Sequence, residues 1–266
     1  MSPKIGVVFT CKKRLPLAEL CLRRFIELMD FPFEVVLAYN GTNGEYINQL
    51  AQVYDFDHVV SSTRYRFELI QEAYEHGDGD YYMHLEDDFY WDNPKAVQNA
   101  VSVLESLPEV SFVRMEFLPF QMKHFQKIID VDDDKFGLFK LKRDGGPSYQ
   151  FCLNPHLRRD KIPIKYGFID TKKYLELVET KPIQPEHWMS NEWDKEEKLS
   201  GCLLGKNFRH LGLYDTGGHK KFWYSDRFFL ERNSPQEFNA VEEFNKFCIN
   251  KVYRELFAEY IRRNEK

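Results

Sequence analysis

The stretch Tyr81 Tyr82 Met83 His84 Leu85 Glu86 Asp87 Asp88 Phe89 Tyr90 Trp91 decides how the chain is read. Its first five residues form a mostly apolar run that reads as a buried strand. The acidic triplet follows at the carboxyl end of that strand, which is where ligands bind in open α/β sheets. Three adjacent carboxylates repel one another and lose hydration there unless a cation or hydrogen-bond donors offset them. Mg²⁺ and Mn²⁺ are hard ions that take oxygen ligands, typically one or two carboxylates together with the phosphates of a substrate. The triplet points to a metal holding a diphosphate. A solvated acidic turn leading into the next helix is the competing reading.

Upstream of the triplet, strand and helix signals alternate. Ile5 to Thr10 reads as a strand, Leu15 to Leu28 as an amphipathic helix and Phe33 to Tyr39 as a second strand. A turn at Asn40 to Gly44 precedes a helix from Glu45 to Tyr54 and a short strand from His58 to Ser61. Phe67 to Glu75 is expected to be helical, ending at Gly77 Asp78 Gly79. Downstream, Asn93 with Pro94 predicts an N-cap followed by proline at the first helical position, with a helix to Leu107. Val110 to Met115 is a further strand. This order predicts an α/β fold with a mostly parallel central sheet and helices on both faces.

The second half is less regular, with turn-rich stretches at Lys142 to Ser148 and around Pro182 to Pro185. Asn191 to Leu204 is expected as helix, Asn207 to Leu213 as strand and Asp215 to His219 as a glycine-containing loop. Ser234 Pro235 Gln236 Glu237 is a capping box, and the apolar spacing after it predicts a long amphipathic C-terminal helix. The expected organisation is one domain over 1–266: a nucleotide-binding half (1–115), an acceptor-binding half (116–233) and the C-terminal helix (234–266).

Composition excludes several classes. With 266 residues, 43% hydrophobic and 16% aromatic, the chain is large enough for a substantial core. A net charge of −5 argues against a general nucleic-acid-binding surface. No stretch approaches the length of an apolar membrane span and no secretory signal opens the chain, so a cytoplasmic location is expected. Cys11, Cys21, Cys152, Cys202 and Cys248 are widely spaced with no CxxC pair, and read as reduced, mostly packed thiols.

Lys4 to His219 resembles, as an ordered set of motifs, the GT-A glycosyltransferases, and in particular the inverting family 2 enzymes. Val7 Val8 Phe9 Thr10 Cys11 Lys12 Lys13 Arg14 is similar to the family's opening strand and loop, which implies nucleotide contacts at Thr10 and Arg14. Glu34 to Thr42 is similar to the second strand, whose terminal residue contacts the base; the family usually has an acid there, and this chain has Asn40. Arg66 to Asp80 followed by Tyr81 to Asp88 is similar to the Arg-containing helix, the Gly-Asp-Tyr lead-in and the DxD motif. Before that helix the family's Ala-Arg-Asn-x-Gly is replaced by Tyr65 Arg66 Phe67 Glu68 Leu69.

The resemblance implies roles. Asp88 would ligate Mn²⁺ or Mg²⁺ directly, Glu86 would act through water or toward the ribose, and Asp87 would lie near the donor sugar, with Arg66 and Asn40 also on the donor. A histidine after the last core strand would complete the metal site, either His210 in Phe208 Arg209 His210 Leu211 Gly212 or His219 in Gly217 Gly218 His219 Lys220 Lys221. An inverting reaction needs a carboxylate base beside the acceptor hydroxyl, and the resemblance implies that it lies at the start of a helix before the last strand. Glu192 in Ser190 Asn191 Glu192 Trp193 Asp194 matches best, with Asp194 and Glu186 as runners-up; an acid in a first helical turn also simply favours the helix dipole.

Pro147 to Pro155 resembles the strand and Asn-Pro turn that line the substrate pocket. The aromatics Phe89, Tyr90, Trp91, Tyr149, Trp188, Trp193, Trp223 and Tyr224 are either an acceptor platform or ordinary core. The implied partners are a UDP-, GDP- or dTDP-sugar donor and a glycan or other hydroxyl acceptor, nucleic acid included. Two readings compete with this one: an Mg²⁺-dependent nucleotidyltransferase, which should carry a glycine-rich phosphate loop near its first strand, and an inactive carbohydrate-binding relative.

Overall fold

The computed structural model describes residues 2–11, 15–63, 66–116, 123–141, 150–160, 185–195 and 197–210. Arg14, the turn-rich stretch from Lys142 to Ser148, the loop with His219 and the expected C-terminal helix lie outside them.

The first half follows its sequence signals closely. β1 (Ile5–Cys11), α1 (Leu15–Leu28), β2 (Phe33–Tyr39), α2 (Gly44–Ala51), β3 (His58–Ser61), α3 (Arg66–His76) and β4 (Tyr81–Glu86) succeed one another. A short β5 (Phe89–Trp91), α4 (Ala96–Ser106) and β6 (Val110–Arg114) come next, then the hairpin strands β7 (Phe125–Val131) and β8 (Asp134–Phe139). β9 (His156–Arg158), α5 (Pro185–Lys195), β10 (Leu199–Leu203) and β11 (Phe208–His210) complete the described elements.

Nine strands form one sheet in the order β3-β2-β1-β4-β9-β6-β10-β8-β7. β8 and β9 run against the other seven, so the sheet is mostly parallel as expected. All seven residues of β1 are buried, as a strand covered on both faces requires. Alternation sorts the side chains into two cores. Val7, Phe9, Val35 and Leu37 pack with α1, α2 and α4 through Leu22, Phe25, Leu50, Val97 and Ala100. Val8, Val36 and Ala38 pack with α3 and α5 through Leu69, Ile70, Ala73, Met189 and Trp193. The helices therefore flank both faces of the sheet.

Two expectations are corrected. The helix read over Asn191 to Leu204 is instead α5, ending at Lys195, followed by strand β10. Glu197 stands between them at φ 56, a left-handed conformation that an α-helix does not continue through. The strand also demands Gly201, where a Cβ would fall 2.2 Å from the Phe136 ring and 2.5 Å from Gly137 O. The second correction is at α4, which begins at Ala96 after Lys95 rather than at Pro94. Asn93 still makes a turn, its Oδ1 accepting from Lys95 N–H at 3.0 Å. Among the described residues no helix is long and apolar enough to cross a membrane.

Candidate functional site

The chain runs from β1 to β2 to β3 on one side of β1, then places β4 on the other. Such a reversal leaves a crevice between the carboxyl ends of the two flanking strands, where doubly wound folds bind ligands. Those ends are Thr10 and Cys11 of β1 and Leu85 and Glu86 of β4. Thr10 and Glu86 are register partners, and Asp87 N–H donates to Thr10 O at 2.9 Å. The acidic triplet thus stands at the reversal itself.

Asp87 is 2% and Asp88 5% exposed, with Glu86 half-buried, so the carboxylates are not a solvated surface turn. Alternation sends Glu86 to the face of α3 and α5, and Asp87 to the face of α2. On that second face the Tyr46 ring stacks on Tyr39 at 4.7 Å and 10°. Burial pushes the Tyr46 phenol well above its usual range, with charge at Cys11 and Asp87 adding to the shift. It remains a neutral hydroxyl beside the triplet.

Asn40 closes β2, its N–H donating to Cys11 O at 2.9 Å, so it belongs to the same rim. α3 follows parallel strand β3 and opens at this rim with Arg66 as its first residue. β11 pairs antiparallel with β5, setting the His210 backbone opposite Phe89, next to Asp88. Phe208 seals this small sheet by stacking on Trp91 at 5.5 Å. Thr10, Asn40, the triplet and the backbones of Arg66 and His210 therefore meet at one sheet edge. Arg14 and His219 lie outside the described residues.

The base candidates fall differently. Glu186 occupies the first turn of α5, and Glu192 lies two turns further on instead of at a helix start. The Glu186 carboxylate accepts from Leu153 N–H at 2.7 Å, fixing the chain before Pro155. Of the aromatics, Phe89, Trp91 and Trp193 are core residues, at most 3% exposed. Tyr90 is half-buried, with the Arg24 guanidinium over its ring at 5.6 Å.

Sequence reading missed a second polar group at the same sheet edge. Glu116, two residues beyond β6, is 3% exposed and accepts from the Asn154 amide. Phe112, Arg114 and Glu116 alternate onto the α5 face, and that period of two, with acid following strand as in Leu85 Glu86, was the available signal.

Carboxylate oxygens suit a hard divalent ion, and two of the three groups are buried. Among the described residues no three His, Cys, Asp or Glu side chains converge on one point.

No family model and no curated protein matches the chain. Solved structures do. A mannosyltransferase from Pyrobaculum calidifontis in complex with GDP-Man and Mn²⁺ is 25% identical over 45% of this chain and 37% of its own, with a TM-score of 0.39. Glucosyl-3-phosphoglycerate synthase from Mycobacterium tuberculosis, in complex with Mn²⁺, UDP and glucosyl-3-phosphoglycerate, is 16% identical over 46% of this chain and 47% of its own, TM-score 0.37. Residues 1–349 of S. aureus TarS align over 77% of this chain and 59% of theirs at 12% identity, TM-score 0.48. The chain thus spans less than half the length of the first two and under two thirds of the third.

Proposed function

We propose that this protein is a metal-dependent glycosyltransferase of GT-A type, moving a sugar from a nucleoside-diphosphate sugar to an acceptor hydroxyl with inversion. One observation carries the reading: three consecutive carboxylates, two of them buried, stand at the carboxyl ends of β1 and β4, where the strand order reverses. Glu86, Asp87 and Asp88 act as the DxD-type motif, with Asp88 the metal-binding carboxylate and His210, on the strand paired with β5, the second ligand. His219 is the alternative. Bound Mn²⁺ or Mg²⁺ supplies Lewis acidity to the departing diphosphate.

The protein's own groups do the rest. Thr10, Asn40 and Arg66 hold the nucleotide along the rim, with Arg14 on the loop after β1. α5 supplies the base, and Glu192 is its candidate because Glu186 is engaged with the backbone of Leu153. The acceptor approaches from the α5 side and gives its proton to that carboxylate as the glycosidic bond forms.

The test is binding of UDP and GDP with and without Mn²⁺, followed by calorimetry on Asp88→Ala. The parent should bind a nucleoside diphosphate only with the metal, and Asp88→Ala should lose that binding while keeping its far-UV spectrum. A folded Asp88→Ala protein with parental affinity removes the assignment. Glu192→Gln should keep donor binding and lose about 10² to 10⁴ in turnover; near-parental turnover moves the base elsewhere.

A further inference from the structure

Glu86 and Glu116 hold matching places at the ends of two strands that point the same way. His84 of β4, His156 of β9 and Arg114 of β6 form one register row across the sheet. Two residues nearer the carboxyl edge, period-two alternation brings Glu86 on β4 and Glu116 after β6 to the same face, with Asn154, just before β9, between them in the sheet order. The β6–β9 register does continue so far: Met115 N–H donates to Pro155 O at 2.9 Å, and Asn154 Nδ2 donates to Glu116 Oε2. Two strand spacings separate the backbones of Glu86 and Glu116, roughly 10 Å.

The surroundings of Glu116 are built and rigid. Cys202 Sγ donates to Glu116 O at 2.9 Å. The stretch leading to Asn154 is held at Phe151 N by Ser190 Oγ at 2.9 Å, at Phe151 O by Arg114 at 2.8 Å, and at Leu153 N by Glu186 at 2.7 Å. Burying a carboxylate to 3% exposure is costly without compensation. Arg114, two residues back on the same face, brings a positive charge close by.

We propose that Glu116 and Asn154 together bind hydroxyls of the donor sugar. This rests on the reading that the triplet holds the diphosphate. A sugar on that diphosphate extends from β4 across β9 toward β6, and the next polar groups on the row are these two. A carboxylate accepts from two hydroxyls, whereas an amide both donates and accepts, so the pair suits neighbouring hydroxyls of a pyranose. The hydrogen bonds at Phe151, Leu153 and the Glu116 carbonyl hold both groups in place.

The experiment compares affinities for UDP and UDP-glucose, and for GDP and GDP-mannose, all with Mn²⁺, in the parent and in Glu116→Gln. The glutamine keeps the volume and can still accept from Asn154. Expected is a loss of about tenfold in affinity for the sugar nucleotide the parent prefers, since hydrogen bonds to charged groups are the stronger ones. Affinity for the bare diphosphate should stay within about twofold. Equal weakening of both, or no change in either, overturns the clamp alone and leaves Glu116 as a fold-stabilising partner of Asn154. No diphosphate binding by the parent overturns the functional reading and the clamp with it. Should Glu116→Gln not fold, Asn154→Ser carries the same comparison: a selective loss for the sugar form supports the clamp, and a parental profile overturns it.

Discussion

Gly79 shows how closely a single position is constrained where the chain enters β4. A Cβ there would lie 2.4 Å from Gly6 N and 2.8 Å from Tyr81 O, both backbone atoms that cannot swing aside. Gly79→Ala should therefore cost roughly 1–3 kcal/mol in urea unfolding with an unchanged slope, the range of overpacked sites. A shift below about 0.5 kcal/mol would mean the β1–β4 junction relaxes. The carboxylates at the other end of β4 were legible as residues, because three acids after an apolar run are conspicuous in one dimension. Glu116 was not, because its partner Asn154 is brought in by β9, 38 residues later in the chain.

At the scale of elements, β5 and β11 are each three residues long and lean on side-chain packing more than on their few ladder bonds. Phe208, 5% exposed and stacked on Trp91, is a packed contact between them. Phe208→Ala should cost about 3–5 kcal/mol, as for large buried aromatics. Because the same pairing sets the His210 backbone beside Asp88, Mn²⁺-dependent nucleotide binding should weaken as well. A variant destabilised in urea yet unchanged in metal-dependent binding would separate β11 from the site.

The elements up to β6 were largely readable, since their apolar periods agree with their local propensities. α5 and β10 were not: Leu199 Ser200 Gly201 Cys202 Leu203 suits either state, and the sheet decides through the tight approach of Phe136 to Gly201. Glu192 was read at a helix start for that reason. The β7–β8 hairpin escaped as well, because the apolar residues of β7 do not alternate with its polar ones and most of the strand is exposed.

For the whole molecule, the midline of the sheet carries a row of basic groups under full burial. His156 stacks on His84 at 5.5 Å, and the Arg158 guanidinium lies over the Tyr74 ring at 4.1 Å. Burial, with His84, Arg158 and Arg114 adding, holds the His156 imidazole well below its ordinary value of 6.5. The unfolded chain then takes up a proton near that value that the folded chain refuses. Stability contributed by this site is present above about pH 6.5 and is lost as pH falls below it. Urea midpoints measured from pH 8 to pH 5 should decline in the acid half, and His156→Gln should flatten that decline; a variant with the parental slope would assign it to other groups.

β9, held between β4 and β6, also sets the order in which the molecule can be completed. A ribosome that has delivered residues 1–150 has made both flanking strands but not the three residues that join them. Until His156 to Arg158 arrive, β4 and β6 each present a bare inner edge, the kind of surface through which chains pair wrongly with one another. The sheet of the first half therefore cannot close during synthesis until a segment made after it arrives.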